Sequence, residues 1–300
     1  MKTSIHSGIF HRDPLTKVIP GLAKIGFDAI ELNAELADWT KPHVSPDMNR
    51  KTLADIRRVT QDNGMGISAI SAHRSMIFSD AAERQASVNY VKGCIDAAPQ
   101  VGTNIVHILS GPYAQGASND QSWQWMLDSI RACARHAAEQ NVTLAIEAVG
   151  FSVVADMKDL QRCLDDLKEY DVCINLDTAH LPVADEDPPE WIRTFGPRVV
   201  HIHIKDARIY NDTEERVAVF GVTLDFECPP LGRGIIDWPP IIEALQGVGY
   251  DGYLSVEHSA HIFGYNQEPW DRYEVAGECY VFLKDLLAAT AGSSIVPNGD

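Results

Sequence analysis

Three hundred residues with 45% hydrophobic content suffice for one large domain with a sizeable core, and no run of about 18 apolar residues offers a helical membrane span. A net charge of −17, from 42 acidic and 25 basic residues, shows no basic footprint for a phosphate backbone, so nucleic acid is not an expected partner. Six cysteines spaced far apart without a CxxC pair suit reduced, buried thiols rather than a disulfide framework, and the start MKTSIHSGIFHRD has no apolar signal core, so a cytoplasmic location is expected.

In chain order, strands are predicted at Thr3–Ile9, Ala29–Asn33, Ile67–His73, Asn104–Ser110, Thr143–Val149, Val172–Thr178, Val199–Asp206 and Tyr253–His258. Helices are predicted between them, among others at Met48–Asn63, Ala81–Ala98, Asp120–Gln140, Pro239–Gly247 and Arg272–Ala289. Strand–helix alternation implies a parallel sheet with crossover helices. Eight such units predict an α/β fold, a single (β/α)8 TIM barrel over residues 1–291, with 292–300 as a loose tail. The junctions KIGFDAIELN (24–33) and GVGYDGYLSVEH (247–258) echo one another: helix end, glycine, aromatic, aspartate, strand. The glycine suits the left-handed position that ends a helix.

Parallel strands buried on both faces should be almost wholly apolar. Several here begin apolar and end polar: LAIEAV, INLDTAH, VVHIHIKD and YLSVEH. In such barrels the carboxyl end carries the chemistry. Alternation puts Glu147, Asp177, His203 and Glu257 on inward faces, one on each of predicted strands five to eight. His201 and Lys205 share the face of His203, but His201 should lie one layer deeper, as a residue that orients its neighbours. Three carboxylates and an imidazole at one mouth would repel each other unless a cation sat among them. A single divalent ion is therefore expected, Mn²⁺ by preference for this hard donor set, with Mg²⁺, Co²⁺ or Zn²⁺ as alternatives.

The runs LDTAH (176–180), HIHIKDAR (201–208) and GRGIIDWPPIIEALQGVGYDGYLSVEH (232–258) resemble the xylose isomerase-like TIM-barrel superfamily. That group includes sugar isomerases, ketose 3-epimerases, inosose dehydratases and the endonuclease IV group. The resemblance implies that Glu147, Asp177, His203 and Glu257 bind one metal. It also implies that Glu147 and Glu257 exchange a proton beside a carbonyl, through an enediolate that the metal stabilises. His180 resembles a histidine that contacts substrate or a second metal, its alternative role being to cap the loop into the next helix.

The expected activity is thus that of a metal-dependent isomerase or epimerase on a free sugar or keto-sugar. The alternative is a lyase or dehydratase acting on a keto-inositol or 3-keto-glycoside, as in the catalytic subunit of a C-glycoside-cleaving complex. An endonuclease IV-like phosphodiesterase shares His73 and His107, but it also needs an Asp-x-His in the loop after strand seven, and residues 206–234 contain no histidine. His73 and His107 are then substrate hydrogen-bonding groups or core histidines, as is His6. Lys205 could bind a hydroxyl or act as an acid, and Asp206 should fix the loop. Only LGRG (231–234) and Arg208 could take a phosphate, so an unphosphorylated sugar or glycoside is favoured, with Arg208 among its contacts. Trp39, Trp123, Trp125 and Trp270 fall near predicted loops and could stack on a sugar ring, although aromatics more often pack. A homo-oligomer is expected, or one subunit of a hetero-complex on the glycoside reading.

Overall fold

The computed structural model describes residues 1–37, 40–216, 218–219, 222–258 and 271–291. Eight parallel strands close a barrel: β1 (Lys2–His6), β2 (Ala29–Asn33), β3 (Gly66–Ser71), β4 (Ile105–Leu109), β5 (Thr143–Glu147), β6 (Val172–Asp177), β7 (Val199–Ile204) and β8 (Tyr253–Val256). Each pairs with its sequence neighbours, and β8 closes on β1. The (β/α)8 barrel read from the strand–helix alternation is the fold.

The outer helices are α1 (Leu15–Ile25), α2 (Arg50–Asp62), α3 (Ala81–Val101), α4 (Asn119–Glu139), α5 (Met157–Asp166), α6 (His180–Val183), α7 (Pro188–Phe195), α8 (Trp238–Gly247) and α9 (Arg272–Ala291). Their spacing explains their packing. In α1 the buried residues are Leu15, Val18, Ile19 and Leu22, one stripe at helical period. Side chains of Asn49, Asp80, Ser118 and Asp156 accept amide protons at the starts of α2, α3, α4 and α5. At the echoed junctions Gly26 and Gly249 have φ of 120° and 73°, a region that suits glycine after a helix. The aspartate of the first echo, Asp28, accepts from both the amide and the hydroxyl of Thr3, tying β2 to β1. Among the described residues no helix is long and apolar enough to cross a membrane.

Most strands stop one to three residues short of their predicted carboxyl ends. Just past β6 a side chain takes up backbone groups at the end of the next strand. Thr178 Oγ1 donates to the Lys205 carbonyl at 2.7 Å and accepts from the Lys205 amide at 3.0 Å. In the connection after β7, Arg208–Ile209 pairs antiparallel with Phe226–Glu227. The predicted aromatic loop positions need correcting. Trp123 and Trp125 lie within α4; Trp123 is buried and donates to Asp166, and Arg84 sits over Trp125. Helical packing, not the site, accounts for both. Trp39, Trp270 and the 292–300 tail lie outside the described residues.

Candidate metal centre

The barrel brings the four proposed ligands together. Glu147, Asp177, His203 and Glu257 each offer an atom within 4.8 Å of the others. Glu147 ends β5, Asp177 ends β6, His203 lies in β7, and Glu257 follows β8 with its amide still on the Ile204 carbonyl. They are not on one hydrogen-bonded rung. Glu147 pairs with Asn175, and Asn175 with His201, whereas Asp177 pairs with His203, and His203 with Ser255. Strands tilt in a barrel, so a level site climbs through the register from one strand to the next.

His203 is fully buried and uses its two nitrogens differently. Its Nε2 lies 3.0 Å from Glu31 Oε1, while Nδ1 faces Glu257 Oε2 at 3.1 Å and Glu147 Oε2 at 3.5 Å. Burial opposes a charge on this ring, but Glu31, Glu147 and Glu257 outweigh it and raise its pKa well above that of a free imidazole. Burial likewise opposes ionisation of Glu147 and Glu257, yet both are held well below the usual carboxylate range, by His203 and His73 for Glu147 and by Lys205 and His203 for Glu257.

Lys205 Nζ bridges Asp177 Oδ2 at 3.2 Å and Glu257 Oε2 at 2.9 Å. Burial disfavours its charge, but these two carboxylates raise its pKa well above the ordinary lysine value, so it remains an ammonium. A ligating imidazole is neutral, and with His203 in that form three carboxylates against one ammonium leave two negative charges in a buried cluster. That surplus, with three oxygens and one imidazole nitrogen converging, fits a divalent cation.

A second set of polar residues lies beside and beneath this cluster. Glu31 is wholly buried and receives four donors: His107 Nε2 (2.7 Å), His201 Nε2 (2.8 Å), His203 Nε2 (3.0 Å) and Ser255 Oγ (2.6 Å). His73 Nε2 lies 3.1 Å from His107 Nδ1 and 3.2 Å from Glu147 Oε2. Asn175 Nδ2 donates to Glu147 Oε2 at 2.7 Å and lies 3.3 Å from His203 Nδ1. Thus His73 reaches the Glu147 carboxylate, whereas His107 sits in the middle of β4 and is wholly buried. Neither Glu31 nor Asn175 stands out in the sequence analysis. The signal was present, because each polar residue interrupts an apolar run, AIELN and CINLD, as the histidines do in HIHIKD.

The remaining sequence-derived residues fall at the edge of this constellation. His180 opens α6, with Nε2 3.6 Å from Asp177 Oδ2 and its ring edge-on to Phe226. Arg208 is engaged by Glu227 at 2.6 Å and Glu214 at 2.9 Å. The amides of Gly232 and Gly234 both donate to Asp206 Oδ2 at 2.9 Å. The two features that could have taken a phosphate are therefore already matched to carboxylates of the chain itself, and Asp206 fixes the loop as its position suggested. The His- and aromatic-rich stretch at 259–270 lies outside the described residues.

A family model described as "Xylose isomerase-like TIM barrel" matches residues 21–277. The chain belongs to that family. It is similar to the inosose dehydratase of Geobacillus thermodenitrificans, with 27% identity over 143 residues, or 46% of this chain and 47% of that protein. The match thus spans about half the length of that curated relative. Among solved structures, an L-ribulose 3-epimerase superposes with a TM-score of 0.75 at 20% identity, covering 100% of this chain and 99% of that one. A D-tagatose 3-epimerase-like protein does so with 0.76 at 18% identity, covering 98% and 100%. At such identities the superpositions establish the fold alone.

Proposed function

We propose that this protein is a divalent-metal-dependent isomerase or epimerase, which removes a proton from the carbon beside the carbonyl of an unphosphorylated keto-sugar and returns one. The observation that carries this reading is the pair of carboxylates, Glu147 and Glu257, which flank His203 Nδ1 from strands three apart in the barrel. Removal and return of a proton at one carbon call for bases that approach from separate directions. When bound, a divalent ion held by Glu147, Asp177, His203 and Glu257 would polarise the substrate's carbonyl and hydroxyl oxygens and acidify the adjacent carbon. Both carboxylates are held ionised by neighbouring cations, His203 and His73 for Glu147 and Lys205 and His203 for Glu257, and so meet the substrate as proton acceptors. Lys205, held as an ammonium, is a hydroxyl-binding cation rather than a base. His73 and His180 border the cluster and would contact further hydroxyls, while His107 steadies His73 from below. Arg208, engaged by two carboxylates, would reach substrate only from the edge.

The two features that the sequence offers for a phosphate, the Arg208 guanidinium and the LGRG amides, are matched internally, which supports an unphosphorylated substrate. The half-length match to inosose dehydratases favours a second reading. In it the same proton removal is followed by loss of a hydroxyl one carbon further on, from a keto-inositol or a 3-keto-glycoside. On either reading we take the protein to act in the cytoplasm as a homo-oligomer, or with a partner subunit if the substrate is a glycoside.

The test is a panel of ketoses, keto-inositols and 3-keto-glycosides incubated in D₂O with Mn²⁺ or Mg²⁺ and followed by NMR. Deuterium at carbon with inverted stereochemistry marks an epimerase, and loss of water marks the dehydratase. Glu147→Gln and Glu257→Gln should each slow exchange by at least the ~10²–10⁴-fold typical of a lost acid–base group. Exchange at the wild-type rate in either variant overturns the two-carboxylate mechanism.

A further inference from the structure

We infer that Glu31 is a positioning residue of the metal centre: its carboxylate holds the Nε2 proton of His203, so that Nδ1, turned towards Glu147 and Glu257, is the nitrogen that gives up its proton to a cation. The consequence for metal affinity rests on the metal reading above; the orientation of the ring does not.

Glu31 lies on β2, level with His6 on β1, and its side chain crosses the barrel interior to β7. Its two oxygens meet four groups and no solvent: His107 and His203 on Oε1, His201 and Ser255 on Oε2. An ionised carboxylate only accepts, so each of these atoms must donate. A ligating imidazole is neutral and keeps one N–H, and in His203 that proton is the one committed to Glu31. Nδ1, which faces Glu257 Oε2 at 3.1 Å and Glu147 Oε2 at 3.5 Å, is then the nitrogen that sheds its proton to take a cation. The same logic orders the neighbouring ring. His107 gives its Nε2 proton to Glu31, which leaves Nδ1 to accept from His73 Nε2 at 3.1 Å.

Without Glu31, the His203 proton could move to Nδ1, where Glu257 Oε2 waits at 3.1 Å as an acceptor. A protonated Nδ1 would occupy the position of a ligand and exclude the cation. A carboxylate behind a ligating histidine fixes both tautomer and ring orientation, and its loss typically costs 10–100-fold in metal affinity. What distinguishes Glu31 is that one carboxylate serves three histidines, only one of which belongs to the proposed ligand set.

The experiment pairs histidine side-chain ¹⁵N NMR with metal titration. His203 resonances are assigned by their loss in His203→Gln. The Nε2 proton of His203 should be present both in metal-free protein and after loading with Zn²⁺, with the coordination shift on Nδ1. A proton-free Nε2 in the metal-free protein, or coordination through Nε2, overturns the inference without any variant having to fold. In parallel, Glu31→Gln should bind Zn²⁺ about 10–100-fold more weakly than wild type, while still unfolding cooperatively. Ser255→Ala removes a different donor from the same carboxylate and should bind close to the wild-type value. Wild-type affinity in folded Glu31→Gln overturns the inference, as does an equal loss in Ser255→Ala, which would reveal a merely structural knot. If wild-type protein binds no Zn²⁺ but keeps its Nε2 proton, the metal reading falls and the hold of Glu31 on His203 stands.

Discussion

His201 and His203 have the same residue type, the same strand face and complete burial, yet their surroundings give them different work. Two residues of strand, roughly 6–7 Å at ~3.3 Å each, put His203 beside the Glu147 and Glu257 carboxylates and leave His201 with Glu31 beneath them. His203→Ala should therefore weaken metal binding by more than about 100-fold, beyond the upper end for residues that stand behind a ligand. His201→Ala should keep most of the affinity. Titration of each variant with Mn²⁺ or Zn²⁺ checks the contrast, and equal losses would reject the layered arrangement. Alternation and depth were legible in HIHIKD. That a glutamate from β2 links the two histidines was not, because 170 residues separate Glu31 from His201.

At the scale of an element, the connection from β7 to α8 hangs on Asp206. Its carboxylate accepts from the amides of Ala207, Gly232, Gly234 and Ile236 and is itself buried. The glycine is needed for closeness: a Cβ at Gly234 would stand 2.1 Å from Asp206 Oδ1 and 2.3 Å from the Ala207 carbonyl. Asp206→Ala leaves those amides without this acceptor; Ala207 and Ile236 are buried, and at about 1–3 kcal/mol for each buried group left unpaired the fold should lose about 2–6 kcal/mol. Gly234→Ala should act in the same direction by forcing the clamp open. Denaturant unfolding measures both, and wild-type stability in either would remove the clamp from the account. The motif GRG is visible in the sequence and invites a phosphate-binding reading. Only the fold reveals that the anion in the cradle is the chain's own aspartate.

For the whole molecule, the histidines gathered in the barrel set its response to pH. Burial pushes the pKa of His6 and of His258 down to about 4, whereas unfolded imidazoles take up protons near 6.5. As pH falls from about 6.5 towards 4 the unfolded chain binds protons that the folded chain refuses, and each such histidine costs up to ~1.4 kcal/mol per pH unit. His203 and His73 work in the opposite sense. Against the effect of burial, Glu31, Glu147 and Glu257 raise His203, and Glu147 chiefly raises His73. Their contribution is complete below about 6.5 and is lost as pH rises through their raised folded values. Metal-free protein should therefore be most stable near neutrality and decline on both sides. Thermal unfolding in a chelating buffer from pH 4 to 9 tests this, and a flat profile between pH 4 and 6.5 would refute the buried neutral histidines.

Sequence by itself determined the barrel, because buried parallel strands must be apolar and eight short apolar runs separated by helix-length segments leave few other closures. It also determined the faces of Glu147, Asp177, His203 and Glu257, since alternation is a local property of extended backbone. The tertiary structure alone decided which groups share a proton or a charge. Strand tilt and register set depth, and depth brought Glu31, Asn175 and Lys205 into contact with the four. It committed Arg208 and the LGRG amides to carboxylates elsewhere in the chain. Periodicity fixes direction one strand at a time, but pairing across a barrel depends on distances that only closure of the sheet supplies.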